Sequence, residues 1–295
     1  MAAAQEVELV VDAHAGIGEG PIWQTRDNSM IWVDISGHAI HRYDPASGQD
    51  SAWNVGELIG AVATRDAGGY VMALKDGFAT FDPATGQVQA IGDLGDPSPA
   101  TRFNDGKCDS SGRFWAGTMA LDWHNSPAAH ALYRLDLDLR VTKVLDGVIL
   151  SNGLGWSPDD TRMYYIDSPT RQVDVFDYDP PSGSIANRRT LIQIAPEDGI
   201  PDGLTVDAEG YLWVALYGGW AVRRYAPDGT LDRVVKMPVG NVTSVGFGGA
   251  DLADLYVTCA VADLAGETLA EQPHAGGLFR IRPAVGGLPP ATFKG

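Results

Sequence analysis

Four short stretches of this chain place an oxygen-bearing side chain where a strand would begin. They are Gly18-Glu19-Gly20-Pro21, Phe103-Asn104-Asp105-Gly106, Ser151-Asn152-Gly153-Leu154 and Pro201-Asp202-Gly203-Leu204. When repeated segments are aligned on the apolar residue before each hairpin turn, the fourth residue back is Glu19, Ala61, Asn104, Asn152, Asp202 or Thr243. Five of these six carry oxygen, and no imidazole or thiolate is among them. An all-oxygen set of two carboxylates and two amides suits a hard divalent cation such as calcium, magnesium or manganese. A cation with open positions polarises a carbonyl and lowers the pKa of a bound water, while a carboxylate can accept that water's proton. The chemistry in reach is hydrolysis of an activated carbonyl or phosphoryl group. Taken singly, Asp-Gly and Asn-Gly pairs are ordinary turn punctuation; the shared register is what a random scatter of turns would not produce.

The elements that must position these residues are repeats. Val206-Asp207-Ala208-Glu209-Gly210-Tyr211-Leu212-Trp213-Val214 matches Cys108-Asp109-Ser110-Ser111-Gly112-Arg113-Phe114-Trp115-Ala116 almost position for position. Looser copies run from Trp23 to Val33 and from Trp156 to Ile166, and residues 61–75 and 243–259 supply two more. Each is followed by a strand stopped at a Pro/Gly turn, as in Tyr43-Asp44-Pro45 with Ser47-Gly48, or Phe81-Asp82-Pro83 with Thr85-Gly86. About six copies spaced roughly 40 to 50 residues apart match the period of a four-stranded propeller blade. The rival, a parallel α/β fold, needs amphipathic helical segments of about 10–15 residues between strands, and none is evident. The expectation is an all-β, six-bladed β-propeller forming a single domain over residues 1–295. Val7 to Val11 is expected to be a lone strand that completes the last blade and closes the ring, since open ends would expose edge strands.

Composition agrees. The 295 residues include 36 glycines, about 12% against a usual ~7%, as many tight turns require. With 21 basic and 38 acidic side chains the net charge is −17, and no Lys/Arg run occurs. Nucleic acid and anionic membrane surfaces are therefore excluded as partners. The opening residues MAAAQEVELVVDA carry no basic and apolar pattern, and no apolar stretch of about 18 residues occurs, so a soluble, uncleaved chain is expected. Cys108 and Cys259 belong to no CxxC pair, so neither a disulfide framework nor a thiolate metal site is indicated, and a cytoplasmic location is expected. Gly16-Ile17-Gly18-Glu19-Gly20 lacks the spacing and helix of a dinucleotide loop, and no GxSxG, Walker or HExxH motif is present. His38 and His41 are expected at the surface, and Asp136 and Asp138 on a solvated strand face. Residues 119–131, with Trp123, His124 and Pro127, are expected to form a loop over the channel mouth.

The motifs Gly18-Glu19-Gly20-Pro21-Ile22-Trp23, Arg102-Phe103-Asn104-Asp105-Gly106-Lys107, Ser151-Asn152-Gly153-Leu154 and Pro201-Asp202-Gly203 resemble those of the senescence marker protein/gluconolactonase/luciferin-regenerating enzyme family. Later motifs, Phe247-Gly248-Gly249 and Ala275-Gly276-Gly277-Leu278-Phe279, resemble it too, so the likeness extends from about Glu19 to Arg280. The resemblance implies a six-bladed propeller with one catalytic divalent cation, hydrolysing sugar lactones to aldonic acids. Calcium is the first expectation for the cation, with zinc, manganese, magnesium and iron as the others. It further implies metal ligation by Glu19, Asn152 and Asp202, with Asp202 as general base. Arg102 and Asn104 are implied to hold the sugar hydroxyls. In some members of the family a further acidic substrate contact follows the Gly-Thr-Met motif, which makes Asp122, after Gly117-Thr118-Met119, the candidate here. Two other functions stay open from the residues: the same metal propeller acting on phosphotriesters or other esters, and a non-catalytic binding propeller.

Overall fold

The computed structural model describes residues 6–94, 98–125 and 129–295. Its strands form six four-stranded antiparallel sheets, the blades of a propeller. Blades 1 to 5 are contiguous in sequence, over residues 18–54, 59–91, 101–148, 151–193 and 200–236. Blade 6 takes three strands from residues 242–281, and its outermost strand is Val7–Val11, paired with Leu278–Ile281. The first strands are Gly18–Gln24, Ile59–Thr64, Thr101–Cys108, Ser151–Trp156, Ile200–Val206 and Val242–Gly248. They pack against one another around a central channel. Among the described residues the only α-helix is Glu267–Ala270, and no helix is long and apolar enough to cross a membrane.

Second strands are buried on both faces because each lies between two neighbouring sheets, so Tyr70–Leu74 and Phe114–Ala120 are buried throughout instead of alternating. Fourth strands such as Gln87–Ile91 lie at the rim and are mostly exposed. The apolar core is divided among the blade interfaces. Tyr164, Val173 and Val175 of blade 4 meet Leu204, Val214 and Leu216 of blade 5, and Trp23, Met30 and Trp32 of blade 1 meet Tyr256 and Leu278 of blade 6. Burying both faces of every sheet is what makes a ring of otherwise marginal blades stable.

The repeated Asp-x-x-Gly-x-x-Trp element is a structural device. Asp109 is fully buried and accepts hydrogen bonds from Arg113 N (3.0 Å), Arg113 Nε (2.7 Å), Trp115 Nε1 (2.8 Å) and Tyr178 OH (2.8 Å) of the next blade. Asp207 does the same with Tyr211 N (3.0 Å), Trp213 Nε1 (2.9 Å) and Arg224 Nε (2.8 Å). Each carboxylate closes its own hairpin and anchors the buried indole. The Asp-Pro turns work by local side-chain capping: Asp44 accepts from Ala46 N at 2.8 Å and Asp82 from Ala84 N at 2.9 Å.

Two surface expectations are corrected. Asp136 and Asp138 lie in the turn after the strand His130–Leu135, and Asp136 is buried, held by Thr142 Oγ1 at 2.9 Å and by Arg134 Nε at 2.6 Å, while Arg134 is itself anchored on Ser182 O and Gly183 O of blade 4. His41 stacks on Trp32 with ring centroids 4.0 Å apart and pairs with Asp50 at 2.6 Å.

Candidate functional site at one mouth of the channel

Near its start, each first strand slips out of register with the second. The slips fall between Glu19 and Ile22, Ile59 and Ala61, Phe103 and Gly106, Ser151 and Leu154, Pro201 and Leu204, and Val242 and Ser244. A β-bulge releases residues from the ladder and re-aims their side chains. It frees Asn104, Asn152 and Asp202 from the ladder, while Glu19 stays paired with Val33 at the edge of its own slip, and the repeat position becomes a ring of side chains at one mouth. The register needs two adjustments. The hairpin bonds Arg65 N→Gly69 O, Asp109 N→Arg113 O, Ser157 N→Arg162 O and Asp207 N→Tyr211 O are equivalent, and the fifth residue back from each is Gly60, Asn104, Asn152 or Asp202. Blade 2 thus contributes Gly60 in place of Ala61. A Cβ on Gly60 would stand 2.3 Å from Asn104 O, so close packing of blades 2 and 3 forbids any side chain there. In blade 6 the Thr243 hydroxyl donates to Gly18 O, and it is Ser244 that hydrogen-bonds the Glu19 carboxylate.

Gly153 and Gly203 have the same explanation as Gly60, whereas Gly20 has open space around it and is required by its left-handed backbone, φ +55°. Added Cβ atoms on Gly153 and Gly203 would meet Asp202 O at 2.6 Å and Ser244 Oγ at 2.1 Å. They permit close approach of neighbouring first strands and are not turn residues.

Glu19, Arg102, Asn104, Asn152 and Asp202 are all buried and are brought together from blades 1, 3, 4 and 5. Arg102 Nη1 donates to Asn104 Oδ1 (2.6 Å) and to Phe103 O (2.9 Å). Asn104 Nδ2 donates to Asn152 Oδ1 (3.1 Å) and to Ser151 O (2.9 Å). Asn152 Nδ2 donates to Ser168 Oγ at 2.9 Å, Asn152 also bonds the Asp202 carboxylate, and Ser168 Oγ donates to Pro201 O at 2.7 Å. These contacts run from the guanidinium to the second carboxylate, and they orient both amides: Asn104 turns its oxygen to Arg102, while Asn152 Oδ1 is met only by an amide N–H.

Asp122 is not part of this set. It is exposed, two residues beyond Ala120, which pairs with Thr101, and its carboxylate accepts from Asn125 Nδ2 at 3.1 and 3.3 Å. It stands at the end of blade 3 from which Arg102 enters the site. The loop expected over residues 119–131 is shorter, because Met119 and Ala120 end one strand and His130 and Ala131 begin the next; its described residues include the 3-10 turn Trp123–Asn125, in which the Trp123 and His124 ring centroids lie 3.8 Å apart, and Pro127 lies outside the described residues.

Electrostatically the site is crowded with like charge. Burial, and then the charge of Asp105, pushes the Glu19 carboxyl up to about 8, against the Gly20 N–H, Arg102 and Ser244. Burial also raises Asp202 well above the usual carboxylate range, followed by repulsion from Glu19 and Asp105; Arg102 and Asn152 oppose this. Asp105 is raised by burial, with Lys107 and the Gly106 N–H opposing. Burial lowers the Arg102 guanidinium to about 10, partly offset by Glu19 and Asp202. Among the described residues no three His, Cys, Asp or Glu side chains are arranged to hold a metal. The donor set is instead two carboxylates, Glu19 and Asp202, and the amide oxygen of Asn152. Oxygen donors alone, carrying two buried charges that repel one another, fit a hard divalent cation. Asp105, Lys107, Ser168 and Ser244 were missed by sequence reasoning. The only hint was the adjacency of Asn104-Asp105-Gly106-Lys107, since no repeat copy carries the other two.

The chain belongs to the SMP-30/gluconolactonase/LRE-like family, whose match covers residues 17–261. It is 42% identical to regucalcin of Danio rerio over 98% of this chain and 99% of that protein. It is also 38% identical to the putative sugar lactone lactonase YvrE of Bacillus subtilis (strain 168), over 97% and 98%. Among solved structures, the calcium-binding protein regucalcin of Agrobacterium tumefaciens superposes with a TM-score of 0.94 at 26% identity, over 99% of this chain and 98% of that one.

Proposed function

We propose that this chain hydrolyses sugar lactones to aldonic acids at this mouth of the channel, with one divalent cation, calcium first, held by Glu19, Asn152 and Asp202. The observation that carries the reading is the convergence of those three oxygen donors beside the Arg102–Asn104 pair. The family and the sugar lactonase among its relatives support the substrate class. A bound cation supplies Lewis-acid polarisation of the lactone carbonyl and stabilises the oxyanion that follows.

The protein's own residues do the rest. Arg102, fixed through Nη1, presents the remainder of its planar fork to vicinal hydroxyls, a geometry a lysine could not match. Asn104 is locked at both ends of its amide and orients the sugar ring. Asp202 accepts a proton at its carboxylate from the water that attacks the carbonyl. Opening of the ring C–O bond gives an alkoxide that takes that proton up. The product acid ionises and releases one proton per turnover. Asp122 is a rim contact for substrate hydroxyls.

A proton-release assay over pentono- and hexonolactones tests this, with the protein first chelated and then given calcium. Turnover lost on chelation and regained with calcium is expected, with Asp122→Ala raising KM a few-fold. An organophosphate hydrolysed in parallel while every lactone stays intact would sink the lactone reading. No turnover of either, with no thermal stabilisation by calcium, would indicate a binding propeller.

A further inference from the structure

The strand carrying Asp202 has an unusual problem. As a first strand it has a ladder partner on one side only, and its other edge faces the channel. The bulge at Asp202 and Gly203 removes two more ladder positions. Buried carbonyls left without a strand partner need donors from elsewhere. Two side chains meet this need, one on each side of Asp202. Ser168 Oγ of blade 4 donates to Pro201 O at 2.7 Å. Lys107 Nζ of blade 3 donates to Leu204 O at 2.8 Å. The second contact passes blade 4 altogether and joins blades 3 and 5 across the channel.

Lys107 also marks a boundary. Towards the opposite mouth it lines a cavity of about 350 Å3 with Trp23, Trp156, Phe247 and Pro289. Towards the site its ammonium interacts with Asp105 and Glu19. The residue thus sits between an apolar cavity and the acidic cluster, with its charged end tied to the backbone two residues after Asp202.

We infer that Lys107 is a positioning residue that spans the channel and fixes where Asp202 stands relative to Glu19 and Asn152. This rests on the proposed cation site. A misplaced Asp202 weakens both cation binding and the proton-transfer step. Sugar binding through Arg102 and Asn104 is retained, since Phe103 O holds Arg102 and Ser151 O holds Asn104, and Lys107 donates to neither.

The test is Lys107→Met, which keeps the aliphatic length and removes the donor and charge. Calcium binding is measured by calorimetry on the full chain, lactone kinetics separately, and melting temperature as a check on the fold. Affinity about 10- to 100-fold lower is expected, the range for outer residues that orient metal ligands, with kcat reduced and KM within about twofold. Val175→Ala, at the interface of blades 4 and 5, is the control for general destabilisation; it should lower the melting temperature and leave calcium affinity unchanged. If Lys107→Met does not fold, Lys107→Gln carries the same comparison with a loss of about fivefold or more. Affinity and kcat within twofold of wild type, or an equal loss in Val175→Ala, would overturn the inference. A wild-type chain without calcium affinity would overturn the reading of the site, and this inference with it.

Discussion

Two sets of buried acids occupy the two ends of the first strands. At the hairpin ends, Asp109 and Asp207 have no exposed surface, and each is met by backbone N–H, an indole N–H and an arginine. Where other acids come near, as Glu209 and Asp232 do to Asp207, they share the arginine that pairs with it. At the channel mouth Glu19, Asp105 and Asp202 are also buried, but they face one another with few donors and with Arg102 and Lys107 as counter-charges. Burial alone therefore does not separate structural acids from those proposed to hold the cation. A carboxylate with all its lone pairs met stabilises the fold, whereas one crowded by like charge stores an unfavourable energy that a cation can relieve.

The sharpest way to break the contrast is substitution at the mouth. Asp202→Asn is expected to lower kcat about a hundred- to ten-thousand-fold. It should also raise the melting temperature of the chelated protein by about 2–4 °C, because a buried repulsion is removed. A chelated melting point that falls would show Asp202 to be structural, like Asp109. The opposite substitution, Asp109→Ala, leaves Arg113 buried without its partner and should cost about 3–5 kcal/mol in urea denaturation. Turnover per folded molecule should stay within about twofold, and a large loss of kcat would remove the distinction.

The smallest effect is on pH. A carboxyl whose folded-state pKa is raised binds more protons folded than unfolded between the two values. Stability therefore falls as pH rises through that window. For Glu19 it runs from the ordinary 4.5 to about 8. The chelated protein should melt at a lower temperature at pH 8 than at pH 5, and calcium should flatten the profile. A chelated profile that rises over this range would mean that the mouth acids are already compensated.

Much of the fold was legible because the blades are repeats: the turn signals, the buried Trp strands and the copy spacing all follow from local chemistry. So was the convergence of Glu19, Asn104, Asn152 and Asp202 at one mouth, since a repeat position maps to a fixed radius and height in a ring. Legibility failed where a neighbouring blade decides. Nothing in the Ala61 or Thr243 segments reveals that Gly60 and Ser244 occupy the equivalent positions, because the placement of the bulge is set by contact between first strands. Asp136 has the look of a solvated strand acid, and it is buried by Arg134, which the turn of blade 4 holds in place.

The residues of this chain by themselves determined a six-fold repeat and the oxygen-bearing positions Glu19, Asn104, Asn152 and Asp202, because strand periodicity and turn chemistry are local. Tertiary structure alone decided which acids are compensated and which are left in conflict, that Lys107 reaches across the channel to the strand of Asp202, and that Asp122 remains at the rim. Desolvation and Coulomb interactions depend on distances between blades far apart in sequence, and only the closed ring sets those distances.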